Sequence, residues 1–90
     1  MSYLKINLEH ICDWIRAERI KQGYSQRDFA KKTGLARSTI THLELNKNPK
    51  LSTIVKCCFS LGYRFNIDLG NQVCFTLTSL DMEEVHSDNH

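Results

Sequence analysis

Apolar residues recur three and four positions apart through the first two thirds of the chain and change to strict alternation beyond Gly62. Leu8, Ile11, Cys12 and Ile15 share one helical face behind Asn7, which can cap them, so a first helix is predicted from there to about Gln22. Gly23 supplies the left-handed residue that closes a helix end, and Trp14 lies beside the stripe at the edge of the core. Ser25-Gln26-Arg27-Asp28 has the form of a capping box with aspartate in place of glutamate; Phe29 and Ala30 follow, and Gly34 ends a short second helix. A third helix from Arg37 to about Asn46 turns Ile40 and Leu43 inward and Arg37, Ser38, Thr41 and His42 outward. Ala36, ahead of it, is a poor cap. Lys47 to Lys50, with the single proline Pro49, reads as a loop. The fourth helix is expected to be capped by Ser52, to contribute Ile54, Val55, Cys58 and Leu61 to the core, and to end at Gly62.

Past that point Tyr63, Phe65, Ile67 and Leu69 alternate with Arg64, Asn66 and Asp68, Gly70-Asn71 signals a tight turn, and Val73, Phe75 and Leu77 alternate with Cys74, Thr76 and Thr78. The expected fold is therefore mainly α, with four helices and a C-terminal β-hairpin. Residues 1–62 form the helical domain, 63–80 the hairpin and 81–90 an acidic tail expected to be disordered. A lone hairpin is marginally stable in water, yet Phe65, Ile67, Leu69, Val73, Phe75 and Leu77 give both strands an apolar face. The expected cover is the same hairpin of a second subunit, in a homodimer; the chain's own helices are the alternative.

Ninety residues, about two-fifths of them hydrophobic, suffice for one domain with a modest core. No apolar run approaches the roughly 18 residues of a membrane span, and MSYLKINLEH lacks the pattern of a signal peptide, so no membrane association and a cytoplasmic location are expected. Cys12, Cys57, Cys58 and Cys74 show no C-x-x-C spacing and His10, His42, His86 and His90 are scattered, so neither a metal nor another cofactor is expected. Cys12 and Cys58 fall on buried faces. The net charge of +2 conceals a split: four acidic residues and no lysine or arginine lie in 81–90, which leaves residues 1–80 with a net charge of +6. A basic body suits phosphate binding without requiring it. No nucleophile-base set with a local signature and no Gly-rich phosphate loop is present, which argues against an enzyme.

Two short helices joined by Gly34-Leu35-Ala36 are the geometry that lays one helix in a major groove while the preceding helix's N-terminus meets the phosphate backbone. RAERIKQGYSQRDFAKKTGLARSTITHLELNKNPKLSTIVKCCFSLG resembles the Cro and phage-repressor type of helix-turn-helix family, the lambda-repressor-like DNA-binding domains, through Ser-Gln, Phe-Ala, Gly-Leu, Ser-Thr-Ile and Leu-Glu at their spacings. The resemblance implies double-stranded DNA as partner. It places Gln26 and Arg27 on backbone phosphate, and Arg37, Ser38, Thr41 and His42 at base edges, with solvated helix positions the alternative for Arg37 and His42. Thr39 lies by the phosphate path, and Lys47, Asn48 and Lys50 serve either phosphate binding or solubility. Ala36 departs from the serine or threonine the family often has there. Arg19 and Glu44 are implied to form an ion pair between the first and third helices.

Function then divides between a repressor acting on an inverted-repeat operator and an antitoxin that also restrains a toxin. LGYRFNIDLG, where phage repressors commonly carry a further helix, resembles the antitoxin of HipA/HipB toxin-antitoxin systems, which implies a HipA-like kinase toxin as a partner. A stand-alone phage, plasmid or chromosomal regulator is the alternative.

Overall fold

In the computed structural model, which describes residues 3–7, 10–45, 49–69 and 73–80, the chain runs β1 (Tyr3–Asn7), α1 (Ile11–Lys21), α2 (Gln26–Thr33), α3 (Arg37–Glu44), α4 (Leu51–Ser60), β2 (Tyr63–Leu69) and β3 (Val73–Ser79). The mainly α domain with its C-terminal hairpin is the fold the spacing predicts. The strand β1 is an addition: Leu4-Lys5-Ile6-Asn7 alternates, but over too few residues to mark a strand by itself. Asn7 thus ends a strand rather than capping a helix, and α1 starts at Ile11 behind His10, whose side chain makes no capping bond.

The other boundaries shift by a residue or two. The third helix stops at Glu44 with Leu45 as its C-cap, and Lys50, not Ser52, occupies the N-cap of α4. Gly23 and Gly34 take the left-handed conformation at the ends of α1 and α2, with φ of 87° and 77°. The turn at Gly70-Asn71, the side chains of Leu69 and Val73, the loop residues Lys47 and Asn48 and the tail 81–90 lie outside the described residues.

The helices and sheet close over one core: Ile11, Cys12 and Ile15 from α1, Phe29 and Ala30 from α2, Ile40 and Leu43 from α3, Ile54, Cys57 and Cys58 from α4 with Leu61 beyond it, and Ile6, Phe75 and Leu77 from the sheet. Val55, expected among them, is 38% exposed. The inward row of α4 runs 54, 57, 58 and 61, so Cys57 rather than Val55 faces the core. Trp14 stands at the core edge as expected, edge-on to Tyr63 with ring centroids 5.2 Å apart.

The sheet is antiparallel in the order β1-β3-β2, which makes β3 central. Ile6, Phe75 and Ile67 share one register row, and Leu4, Leu77 and Phe65 the next. Directly paired residues share a face; Ile6, Phe75, Leu77 and half-buried Phe65 pack on the core from it, while Arg64 and Asn66 on the other face are exposed. Here the expectation for the hairpin needs correction. Phe75 and Leu77 are 2% and 0% exposed within one subunit, because β1 flanks β3 and the chain's own helices cover it. They are core residues with no surface to offer a partner; Ile67, 43% exposed near the sheet edge, keeps one.

Candidate nucleic-acid interface

Local chemistry fixes the angle between α2 and α3. Ser25 adopts extended backbone and its hydroxyl accepts from the Asp28 N–H at 3.0 Å, which starts α2. At the other end the N–H groups of Gly34 and Leu35 both reach the Ala30 carbonyl, at 2.9 and 3.1 Å, and the Thr33 hydroxyl accepts from Leu35 N–H at 3.2 Å. Half-buried Leu35 packs on the core, and Ala36 opens α3 with no side-chain cap.

Arg37, Ser38 and His42 are exposed on α3, and Arg27 is exposed in the first turn of α2. Thr39 is half-buried and lines a cleft between α3 and α4 with Leu35, His42, Pro49, Lys50 and Ser52. Sequence reasoning left Lys50 with two roles and used Ser52 only as a cap. The cleft brings both beside His42, at an α4 N-terminus whose first N–H groups have no side-chain cap.

Gln26 and Thr41 depart from the simple outward picture. The Gln26 amide donates from Nε2 to Glu44 Oε1 at 3.0 Å, and the Thr41 hydroxyl, on a half-buried side chain, reaches Gln26 Oε1 at 3.2 Å with the Arg37 carbonyl at 3.1 Å as its competing acceptor. Helical spacing places Thr41 on the same face as Arg37 but gives no sign of this inward bond.

Arg19 and Glu44 stand together. Nε and Nη2 of Arg19 donate to the two carboxylate oxygens at 2.6 and 3.0 Å, and Nη1 donates to the Tyr24 carbonyl at 2.6 Å. The two side chains are only 8% and 3% exposed. Arg16, largely in solvent, holds its Nε 3.8 Å from the same carboxylate. Burial by itself raises the Glu44 pKa, but hydrogen bonds from Arg19 and Gln26 and the charges of Arg19 and Arg16 outweigh it and hold the carboxyl below the usual glutamate value. Glu44 is therefore an ionised, acceptor-only hub joining α1, α2 and α3.

The buried thiols sit behind this surface. Cys57 and Cys58 are pushed up to about 12, first by burial and then by nearby negative charge, from Glu44 and Cys12 for the former and from Cys57 and Cys12 for the latter. Burial also raises Cys12, helped by Asp13. Since the thiolate is the nucleophile, these three cysteines are expected to stay silent toward a disulfide reagent at pH 8 in the folded protein and to react on denaturation; prompt native labelling of Cys57 or Cys58 overturns this. No group of residues suited to hold a metal occurs among the described residues, and no described helix is long and apolar enough to cross a membrane.

A capped helix, a glycine turn and a second helix whose polar face is free define a helix-turn-helix DNA-binding domain. A helix-turn-helix family model matches residues 15–66, more than half of the chain, and the protein belongs to that family, of the Cro and phage-repressor type. It is a DNA-binding transcriptional regulator, and the family is regulatory rather than catalytic. Neither the curated proteins nor the solved structures gave a match.

Proposed function

We propose that the protein is a repressor that binds an inverted-repeat operator as a homodimer, acting in the cytoplasm. The observation that carries this reading is the free polar face of α3, where Arg37, Ser38 and His42 project beside the uncapped start of α4. Arg37 donates two hydrogen bonds to a guanine, Ser38 and His42 contact neighbouring base edges, and Gln26, Arg27, Thr39, Lys47 and Asn48 hold phosphates. On an operator selected from a pool of random duplexes, Arg37→Ala is expected to weaken binding by about 1–3 kcal/mol and to relax discrimination at one base pair. Equal loss on selected and random DNA assigns Arg37 to the backbone instead.

The second subunit pairs along the outer edge of β2, which has β3 as its one strand neighbour among the described residues. The Gly62 carbonyl accepts from Leu80 N–H at 2.9 Å. By the antiparallel pattern, that parity turns the N–H and C=O of Phe65 and Ile67 outward. Pairing two copies about Asn66 sets Phe65 opposite Ile67 and position 64 opposite position 68, arginine against aspartate. Exposed Val55 and Phe59, one turn apart on α4, flank this edge. Leu69 and Val73 extend the same apolar row in the register.

The hairpin following α4 supports a second reading, an antitoxin that also restrains a HipA-like kinase toxin. Co-expression with the product of the adjacent gene tests it: rescue of growth supports the antitoxin role, and a harmless or absent neighbour leaves a stand-alone regulator.

A further inference from the structure

The bond between Thr41 and Gln26 links the two helices of the motif at a point where each was expected to touch DNA separately. Glu44 is buried and ionised, so it can only accept hydrogen bonds. That turns the nitrogen of the Gln26 amide toward Glu44 and leaves its oxygen toward Thr41, whose single hydroxyl proton is shared between that oxygen at 3.2 Å and the Arg37 carbonyl at 3.1 Å. An amide nitrogen carries two hydrogens, and Glu44 takes one. The second has no partner among the described residues, and it belongs to the first residue of α2, beside exposed Arg27 and within a side chain's reach of Arg16.

We propose that Thr41 is a positioning residue: its hydroxyl holds the Gln26 amide in the one orientation that offers the second N–H to a DNA phosphate, and it reads no base itself. This rests on the DNA-binding reading above and assigns a different task to one of its residues. Thr41 sits between Arg37 and Glu44 on α3, so the same short helix that presents the reading face also sets the phosphate grip of α2. Backbone register and base readout are then coupled mechanically, through three side chains.

The test compares Thr41→Val, which keeps the shape and deletes the hydroxyl, with Thr41→Ser, which restores it. Gln26→Ala and the Gln26→Ala/Thr41→Val double variant complete the cycle. Without DNA, the nitrogen-15 spectrum of the Gln26 side-chain amide is expected to shift in Thr41→Val and to return in Thr41→Ser, at unchanged overall fold. With DNA, Thr41→Val is expected to lose roughly three- to tenfold in affinity, the factor one net hydrogen bond is worth, equally on the selected operator and on random duplex. Base preferences at every position are expected to stay as in the wild type, and the double variant to bind no more weakly than Gln26→Ala. An altered preference at one base pair, an unmoved Gln26 amide, or additive losses in the double variant overturn the proposal. A wild type with no preference among the pooled duplexes instead overturns the operator-binding reading, while the spectroscopic arm still decides the Thr41–Gln26 bond.

Discussion

Glu44→Ala is expected to cost about 3 kcal/mol of stability, a fall in Tm of roughly 12–24 °C for a domain of this size. The substitution leaves the Arg19 guanidinium, 8% exposed, without its bidentate partner, and it strips the Gln26 amide of its acceptor in the same step. Removing both charges is expected to be gentler: Arg19→Met with Glu44→Leu should recover much of the loss, since an apolar pair leaves no buried ion behind. The pair also sets an acid limb. The folded carboxyl lies below the ordinary glutamate value of about 4.3, so its contribution is complete above that value and disappears as pH falls through the folded pKa. Melting curves at pH 7 and pH 3 check this. Glu44→Gln should show a shallower acid dependence than the wild type, and equal stability of wild type and Glu44→Ala at pH 7 removes the pair from any structural role.

Ile67→Lys is expected to convert the proposed homodimer to a monomer with little harm to the subunit, because its side chain is already 43% exposed and lies next to the proposed two-fold axis. Losing the tethered second half-site should lower operator affinity by about 10²-fold or more and leave affinity for a single half-site nearly unchanged. Sedimentation and half-site titrations measure the two arms. Asn66→Cys gives the positive control, since a residue on the axis faces its own copy across a non-hydrogen-bonded pair and should form an intersubunit disulfide on oxidation. A dimer that survives Ile67→Lys, with no cross-link at position 66, moves the interface elsewhere. Truncation after Gly62 cannot serve this purpose, because it removes Phe75 and Leu77 from the subunit's own core.

The four helices and the hairpin were legible because each carries its own period and its own terminators: Ser25 with Asp28, Gly34, and the change of rhythm after Gly62. Features built by tertiary contact were less so. The strand β1 exists through pairing with β3, more than sixty residues away, and five alternating positions cannot advertise a distant partner. That unseen strand also explains the hairpin misjudgement, since the count of apolar faces omitted a third strand that makes β3 central. On α3, spacing identified the exposed positions Arg37, Ser38 and His42, while the bond from Thr41 to Gln26 had no local signal because it depends on which end of the Gln26 amide faces Glu44. The Arg19–Glu44 contact came from family resemblance; no local pattern joins residues 25 positions apart.

The pairing of Tyr3 with Thr78 makes the sheet the last thing that can form during synthesis. The helices draw on neighbouring residues and are free to fold as they leave the ribosome, whereas β1 must wait for nearly the whole chain before β3 exists to receive it. Until then Ile6 lacks its register partner Phe75, and the apolar side of the helical layer has no lid. Before β3 is available that apolar flank has no sheet over it, and it is there that a chaperone or a second nascent copy would gain access.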